Sequence, residues 1–252
     1  MVQHLLTTEH DAHLRNTERP SRTSDIVPRT VVPRAVVRPE ALSFHVLSPS
    51  QPGPADAPFL GAAYECWTDV WHDLFAELRG LTDVPSDEFS RQHEIGALFH
   101  DWECIGLMGY RWVSLSSPID RDDSYFKVWP SEARARAAEH GDRLFIAGNL
   151  TIAEPWRRAD GQSVKELLLA LAVERFLVSD CDTIVGTTRN NRGMNELGYR
   201  LGFTQLAPSV PYHGIEVDLV AFYRDTCTRP PLDAATEKTI ATLRPNSAPR
   251  NL

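Results

Sequence analysis

The chemistry of this chain concentrates in the run Leu150-Thr151-Ile152-Ala153-Glu154-Pro155-Trp156-Arg157-Arg158-Ala159-Asp160-Gly161-Gln162-Ser163-Val164. A strand ends, a proline closes it, and a loop opens a long apolar helix. The start of a helix leaves backbone N–H groups without intrahelical partners, and the helix dipole adds partial positive charge there. Small residues at Ala159, Gly161 and Ser163 let a pyrophosphate approach those groups, and Arg157 and Arg158 supply forked donors. The spacing predicts a phosphate-bearing ligand held by Arg157, Arg158, Ala159, Gly161, Gln162 and Ser163. An ordinary strand-to-helix turn with arginines on its surface is the simpler alternative.

Proton-handling groups lie around this run. Glu154 at the strand end is the nearest carboxylate. Glu103 and His100, in a polar hairpin turn, are further candidate bases, although turn charges are usually solvated and a base must reach the proton it takes. Trp71 belongs to an aromatic helix face that either packs in the core or walls a pocket. His213 lies in the loop 208–214 and either lines that pocket or sits at the surface.

The loop resembles the acyl-CoA motif of the Gcn5-related N-acetyltransferase (GNAT) superfamily, roughly V-x-P-x-x-R-G-x-G-x-G/A. Counted from Pro155, Arg158 fills the Arg slot, and Ala159, Gly161 and Ser163 fill the three glycine slots. A register shifted by one puts Ile152 in the Val slot and Arg157 in the Arg slot. A second run, Asn191-Arg192-Gly193-Met194-Asn195-Glu196-Leu197-Gly198-Tyr199-Arg200-Leu201-Gly202-Phe203, is similar to the superfamily's next segment, N-x-x-A-x-x-L-Y-x-x-L-G-F. Asn190 or Asn191 is expected to cap this helix, and Gly202 to end it in a left-handed turn.

This resemblance implies transfer of an acyl group from a thioester to an amine. The pantetheine arm would lie between the strands 144–152 and 183–188. A backbone N–H near Ile152 or Ala153 would stabilise the oxyanion, Glu154 would deprotonate the amine directly or through water, and Asn191 would join the donor site. Many members protonate the leaving thiolate with a Tyr before L-G-F. Here that slot holds Gly198, and Tyr199 stands one place on, about 100° round the helix. Tyr199 is therefore either the acid, turned from its usual direction, or a packing residue.

The upstream residues Asp87-Glu88-Phe89, Gly106 to Arg111, and Phe126 resemble the layout of autoinducer synthases and long-chain N-acyl amino acid synthases, which take acyl groups from an acyl carrier protein. No acidic residue stands near Gly148 and Asn149, where those relatives carry one. In this reading Arg111 touches substrate; alternatively it pairs with Asp87. A non-catalytic thioester-binding module and a thioester-decarboxylating or hydrolysing enzyme are the other readings, given the displaced Tyr and the eroded glycines.

These residues need a scaffold. Strands are expected at 42–47, 94–99, 104–115, 144–152, 183–188 and 215–223, with 203–206 beginning a further one. Helices are expected at 59–78, 131–139, 164–178 and 192–201. A hairpin followed by alternating strands and helices predicts an α/β (α+β) fold: a mixed, splayed central sheet with helices on both faces. The domain is expected over 41–227. A polar, proline-rich arm at 1–40 precedes it, in which Val31-Val32 and Val36-Val37 could add a short edge strand. A tail at 228–252 follows, with one possible helical turn near 234–243.

The net charge of −8 over 252 residues disfavours a nucleic-acid partner. Cys66, Cys104, Cys181 and Cys227 form no metal-spaced pair, so neither a metal nor a disulfide framework is expected. No apolar run is long enough to span a bilayer and no apolar leader is visible, which makes the cytoplasm the expected compartment. The expected partners are a small-molecule amine and a donor, either acyl-CoA or acyl-phosphopantetheine on a carrier protein.

Overall fold

A computed structural model of the chain describes residues 34–79, 85–212 and 214–244. Among them, seven strands form one sheet: β1 (Leu42–Leu47), β2 (Glu94–His100), β3 (Glu103–Ser114), β4 (Arg143–Ile152), β5 (Thr183–Arg189), β6 (Thr204–Tyr212) and β7 (Ile215–Tyr223), in the order β1-β2-β3-β4-β5-β7-β6. The helices are α1 (Ala57–Arg79), α2 (Asp87–Ser90), α3 (Pro118–Arg121), α4 (Ser131–Ala137), α5 (Val164–Leu177), α6 (Met194–Arg200) and α7 (Ala234–Leu243).

Neighbouring strands are antiparallel except β4 and β5, which run parallel. A parallel pair needs a crossover, and α5 provides it. Alternation along β4 divides the core. Phe145 and Ala147 pack with Leu169, Ala172 and Phe176 of α5 and Leu197 of α6, while Leu144 and Ile146 pack with Ala133 and Ala137 of α4. The aromatic face of α1 covers Ile95, Ala97 and Leu107 on β2 and β3. Helices thus cover both faces of a mixed sheet, as the sequence implies. Between sheet and α5, Arg175 makes a forked bond to Glu94 at 2.8 and 3.0 Å, both residues being fully buried.

The decisive local feature is where β4 and β5 part. They pair only at Leu144↔Thr183, Phe145↔Ile184 and Ile146↔Val185. Beyond that point β4 carries a bulge. Between the pairs Gly109↔Gly148 and Leu107↔Thr151, two residues of β4 face one of β3. Asn149 in the bulge is left-handed, with φ 54, a conformation Asn tolerates better than most residues. Its side-chain amide donates to the Glu88 carbonyl at 3.1 Å. A bulge bends its strand, and here it accompanies the opening of β4 from β5.

Several expectations are revised. The segment 190–192 is a separate 3-10 turn, and α6 starts after Gly193 at φ 63 with no side-chain cap, so neither Asn190 nor Asn191 caps it. Gly202 does end the helix left-handed, at φ 91, with the Phe203 N–H returning to the Gly198 carbonyl at 3.1 Å. The region 234–243 is a full helix docked on the domain: Ile240 and Leu243 join the α5 side of the core, and Arg229 ties Glu237 at 2.7 Å and Glu174 at 3.6 Å. Val36 adds no sheet strand. It makes one parallel bridge to Asp160 instead. Residues 1–33 of the arm, 245–252 of the tail, and His213 lie outside the described residues.

Candidate functional site

Where β4 and β5 part, a cavity of ≈ 1180 Å³ passes between them. Ala147 to Leu150 of β4 and Gly186 to Thr188 of β5 form its edges. On the α5 side its walls are Leu169, Ala172, Gly198 and Phe203; on the α1 side they include Trp71, Arg111 and Tyr125. Arg157, Arg158, Lys165, Arg189 and Arg192 also line it, and with Arg91 and Arg111 they face five carboxylates, Glu65, Asp69, Glu88, Glu103 and Glu154, a small positive excess on a chain of net charge −8.

A smaller cavity of ≈ 120 Å³ adjoins it at the start of α5, lined by Ala159, Gly161, Gln162 and Ser163 and sharing Ile152, Arg157 and Lys165 with the large one. Gly161 adopts φ +91, and a Cβ there would stand 3.0 Å from the Val37 carbonyl oxygen. Only glycine is at ease in that geometry. The loop is held by the arm: the Asp160 N–H donates to the Ala35 carbonyl at 2.9 Å, and the Val37 N–H to the Asp160 carbonyl at 3.0 Å. Ser163 caps α5 through its hydroxyl, which accepts from the Glu166 N–H. Gln162 lines the cradle, but its amide donates to Thr239 of α7 at 3.0 Å. Arg157 donates through Nε to the Ile152 carbonyl at 3.1 Å, leaving its two terminal nitrogens for a ligand.

The backbone sorts the two oxyanion candidates. The Ala153 N–H is committed to the Ile105 carbonyl at 3.1 Å, so it is removed from that role. Successive residues of a strand point their N–H and C=O groups to opposite edges. Ile152 therefore turns both groups to the parted edge, in keeping with its carbonyl accepting from Arg157.

The proton-handling residues separate. Glu154 is exposed and lines the large cavity. Glu103 lines it too and accepts from Trp156 Nε1 at 2.8 Å. His100 faces elsewhere: it is buried against the Trp156 ring at 4.7 Å and accepts from the Arg38 N–H. Asn191 is exposed and does not line the cavity, whereas its neighbour Arg192 does. Gly198 stands on the wall, but Tyr199 does not: its hydroxyl donates to Asp218. The 100° offset read from the sequence turns the phenol toward β7.

Trp71 lines the cavity and also braces the bulge, donating through Nε1 to Thr151 Oγ1 at 2.9 Å. Arg111 is 7% exposed and pairs with Asp123, not with Asp87. Tyr125 is a site residue that no motif or period marks in the sequence. It follows the Asp123 that holds Arg111, and its hydroxyl accepts from Thr187 Oγ1 of β5 at 3.2 Å.

No family model matches the sequence, and a comparison with curated proteins finds no match. Solved structures do match. FeeM, an N-acyl amino acid synthase from uncultured soil microbes, is 15% identical, with 73% of this chain and 91% of that chain covered, at a TM-score of 0.50. The AHL synthase LasI is 13% identical, with 73% and 90% covered, at 0.50. A mosquito arylalkylamine N-acetyltransferase-like protein, 5b, is 11% identical, with 72% and 99% covered, at 0.52. The chain has the GNAT fold. The parted parallel strands, the bulge and the helix-start loop all lie within it. Among the described residues no group of His, Cys, Asp and Glu could hold a metal, and no helix is long and apolar enough to cross a membrane.

Proposed function

We propose that this chain is an N-acyltransferase that takes an acyl group from acyl-CoA and passes it to the amine of a small molecule. One observation carries the reading: the opening of β4 from β5 over a cavity whose basic end is the Arg157 and Arg158 loop at the start of α5. The glycine cradle, the helix start and the two arginines suit a diphosphate, and the parted strand edges suit an amide-bearing arm. GNAT-fold neighbours named as acyl-transferring enzymes support the same reading.

The donor brings an activated thioester carbonyl. Ile152 shares the cradle with Arg157 and Gly161, so its N–H at the parted edge is offered to the amide-bearing arm as it leaves the diphosphate, not to the carbonyl that reacts further along the cavity. Glu154 accepts the proton of the attacking amine directly or through water, with Glu103 as a further candidate among the five carboxylates that line the cavity. Trp71 and Arg111 wall the acceptor side. Holding both reactants in one cavity supplies much of the acceleration. Thermal shift with CoA and a series of acyl-CoAs tests the reading, followed by thiol release with a panel of small amines. Absence of stabilisation by any CoA rejects it.

The small positive excess at the cavity, seven cations against five carboxylates, favours a second reading, in which an acidic acyl carrier protein delivers the donor. Comparing one acyl group on CoA and on a carrier protein at rising salt separates the two. A carrier substrate that is preferred at low salt and loses its advantage at high salt selects the second.

A further inference from the structure

A leaving thiolate needs a proton, and α6 offers none to the cavity. Gly198 is bare wall, and Tyr199 is engaged with Asp218. A hydroxyl does reach the cavity from the other face of the sheet. The vertex of the gap is set by the last β4–β5 pair, Ile146↔Val185. An arm entering beside Arg157 and Arg158, past the C-terminal end of β4, runs back along that strand toward the vertex. Its sulfur end would then lie level with Gly148 on β4 and with Thr187, two residues beyond Val185 on β5, both of which line the cavity. Thr187 is the residue that donates to the Tyr125 hydroxyl, at 3.2 Å. A phenol carries one proton and accepts through its lone pairs. Because Tyr125 accepts from Thr187, its own proton is not used in that bond and is available to a group in the cavity that it lines.

We propose that Tyr125 is the residue that donates a proton to the leaving sulfur, acting from the α4 side of the sheet and not from α6. This assignment rests on the acyl-donor reading above. In the step, the amine nitrogen bonds to the thioester carbon and loses one proton to a cavity carboxylate. The C–S bond then breaks, its electron pair goes to sulfur, and the Tyr125 O–H proton passes to that sulfur. The phenolate recovers a proton from the carboxylate through water, so amide and free thiol are the only products. The ring is fixed for this task, with Phe126 at 5.2 Å and Trp129 at 5.6 Å. Burial, reinforced by Tyr212 and Asp123 and opposed by Thr187 and Arg111, holds the phenol above its usual range. It therefore stays protonated at neutral pH and keeps its O–H for the sulfur; transfer is completed because the carboxylic acid formed in the first half of the step returns a proton to the phenolate.

The test uses CoA itself. The pKa of the bound thiol is read from thiolate ultraviolet absorbance, with the complex of desulfo-CoA as reference. A donor at the sulfur stabilises the thiolate, and a hydrogen bond to a charged group is worth enough to move a pKa by about one unit. Tyr125→Phe, which keeps the ring in its cluster, is expected to raise the bound thiol pKa by about that amount. Thr187→Val, which loosens the phenol, is expected to shift it in the same direction by less, and it carries the test if the first variant does not fold. An unchanged thiol pKa in both variants, with CoA still bound, overturns the role of Tyr125 and leaves the donor reading standing. A wild-type protein that binds no CoA overturns both.

Discussion

The Tyr199 hydroxyl donates to the carboxylate of Asp218, a residue 3% exposed on β7. Asp218 also accepts from Asn190 at 2.9 Å, Asn195 at 3.1 Å, Gln205 at 3.0 Å and the Ser209 N–H at 2.9 Å. One carboxylate thereby fixes the 3-10 turn, α6 and β6 against β7. Burial alone would raise its pKa, but the bonds from Tyr199, Ser209, Asn195 and Asn190 outweigh it and hold it down at about 2. Burial, and then the Asp218 bond, push Tyr199 up to about 12.

A carboxyl depressed in the folded state stabilises the protein above its unfolded pKa, near 3.8, and that contribution is lost as pH falls toward the folded value. The shift corresponds to on the order of 2 kcal/mol. Asp218→Asn is expected to lose about that much in urea unfolding at pH 7, with the gap to wild type narrowing between pH 4 and pH 2. A gap independent of pH would show that the charge is not what holds the network. Tyr199→Phe is expected to cost about 1–2 kcal/mol while leaving acyl transfer within about threefold of wild type.

Gly161→Ala tests the cradle. The new residue must keep a left-handed φ, at about 1–2 kcal/mol, and its Cβ would meet the Val37 carbonyl oxygen at 3.0 Å. A lower melting temperature together with weaker CoA binding is the expected outcome. Loss of stability with full CoA affinity would place the ligand away from this loop.

Legibility in the sequence followed how local each cause was. The helix-start loop was readable because a strand end, a proline, small residues and the Ser163 cap within one short run mark the turn into α5. The turned phenol of Tyr199 was readable because the helical period alone dictates its offset from Gly198. The Asn149 bulge was not, since it depends on register against β3. Nor was the partner of Arg111, because Asp123 reaches it from an irregular loop between β3 and β4. Tyr125 shares that loop and is placed by a hydroxyl on β5, a contact that no spacing encodes. The cap of α6 was misread because asparagine is a good N-cap in general, while here Asn190 is drawn to Asp218 and Gly193 takes the turn.

Arg157 and Arg158 line the large cavity from adjacent positions, and Arg157 also holds the Ile152 carbonyl. Replacing both with Gln is expected to weaken CoA about 10- to 100-fold by calorimetry, as two charge-assisted contacts are lost. Pantetheine, which has no diphosphate, should bind wild type and variant equally. Arg157→Lys keeps the charge but loses the forked geometry, so it should recover only part of the CoA affinity. Equal weakening of CoA and pantetheine would mean that the loop had been distorted and that its charge was not the cause.

The Arg175–Glu94 pair fixes α5, and with it the cradle, against β2. Its burial makes the two possible disruptions unequal. Removing one partner strands a charge, which costs about 3–5 kcal/mol. Arg175 already has one buried nitrogen, Nη1, without a hydrogen-bond partner, and its guanidinium lies 5.6 Å from the Trp112 ring centroid. Glu94→Gln is therefore expected to lose about 3 kcal/mol or more in chemical denaturation. The double change Glu94→Leu with Arg175→Met, which removes both charges and keeps apolar volume, should recover most of that loss. If the double variant were as unstable as the sum of the two singles, the pair would not be acting as a unit, and packing around each side chain separately would account for the stability of α5.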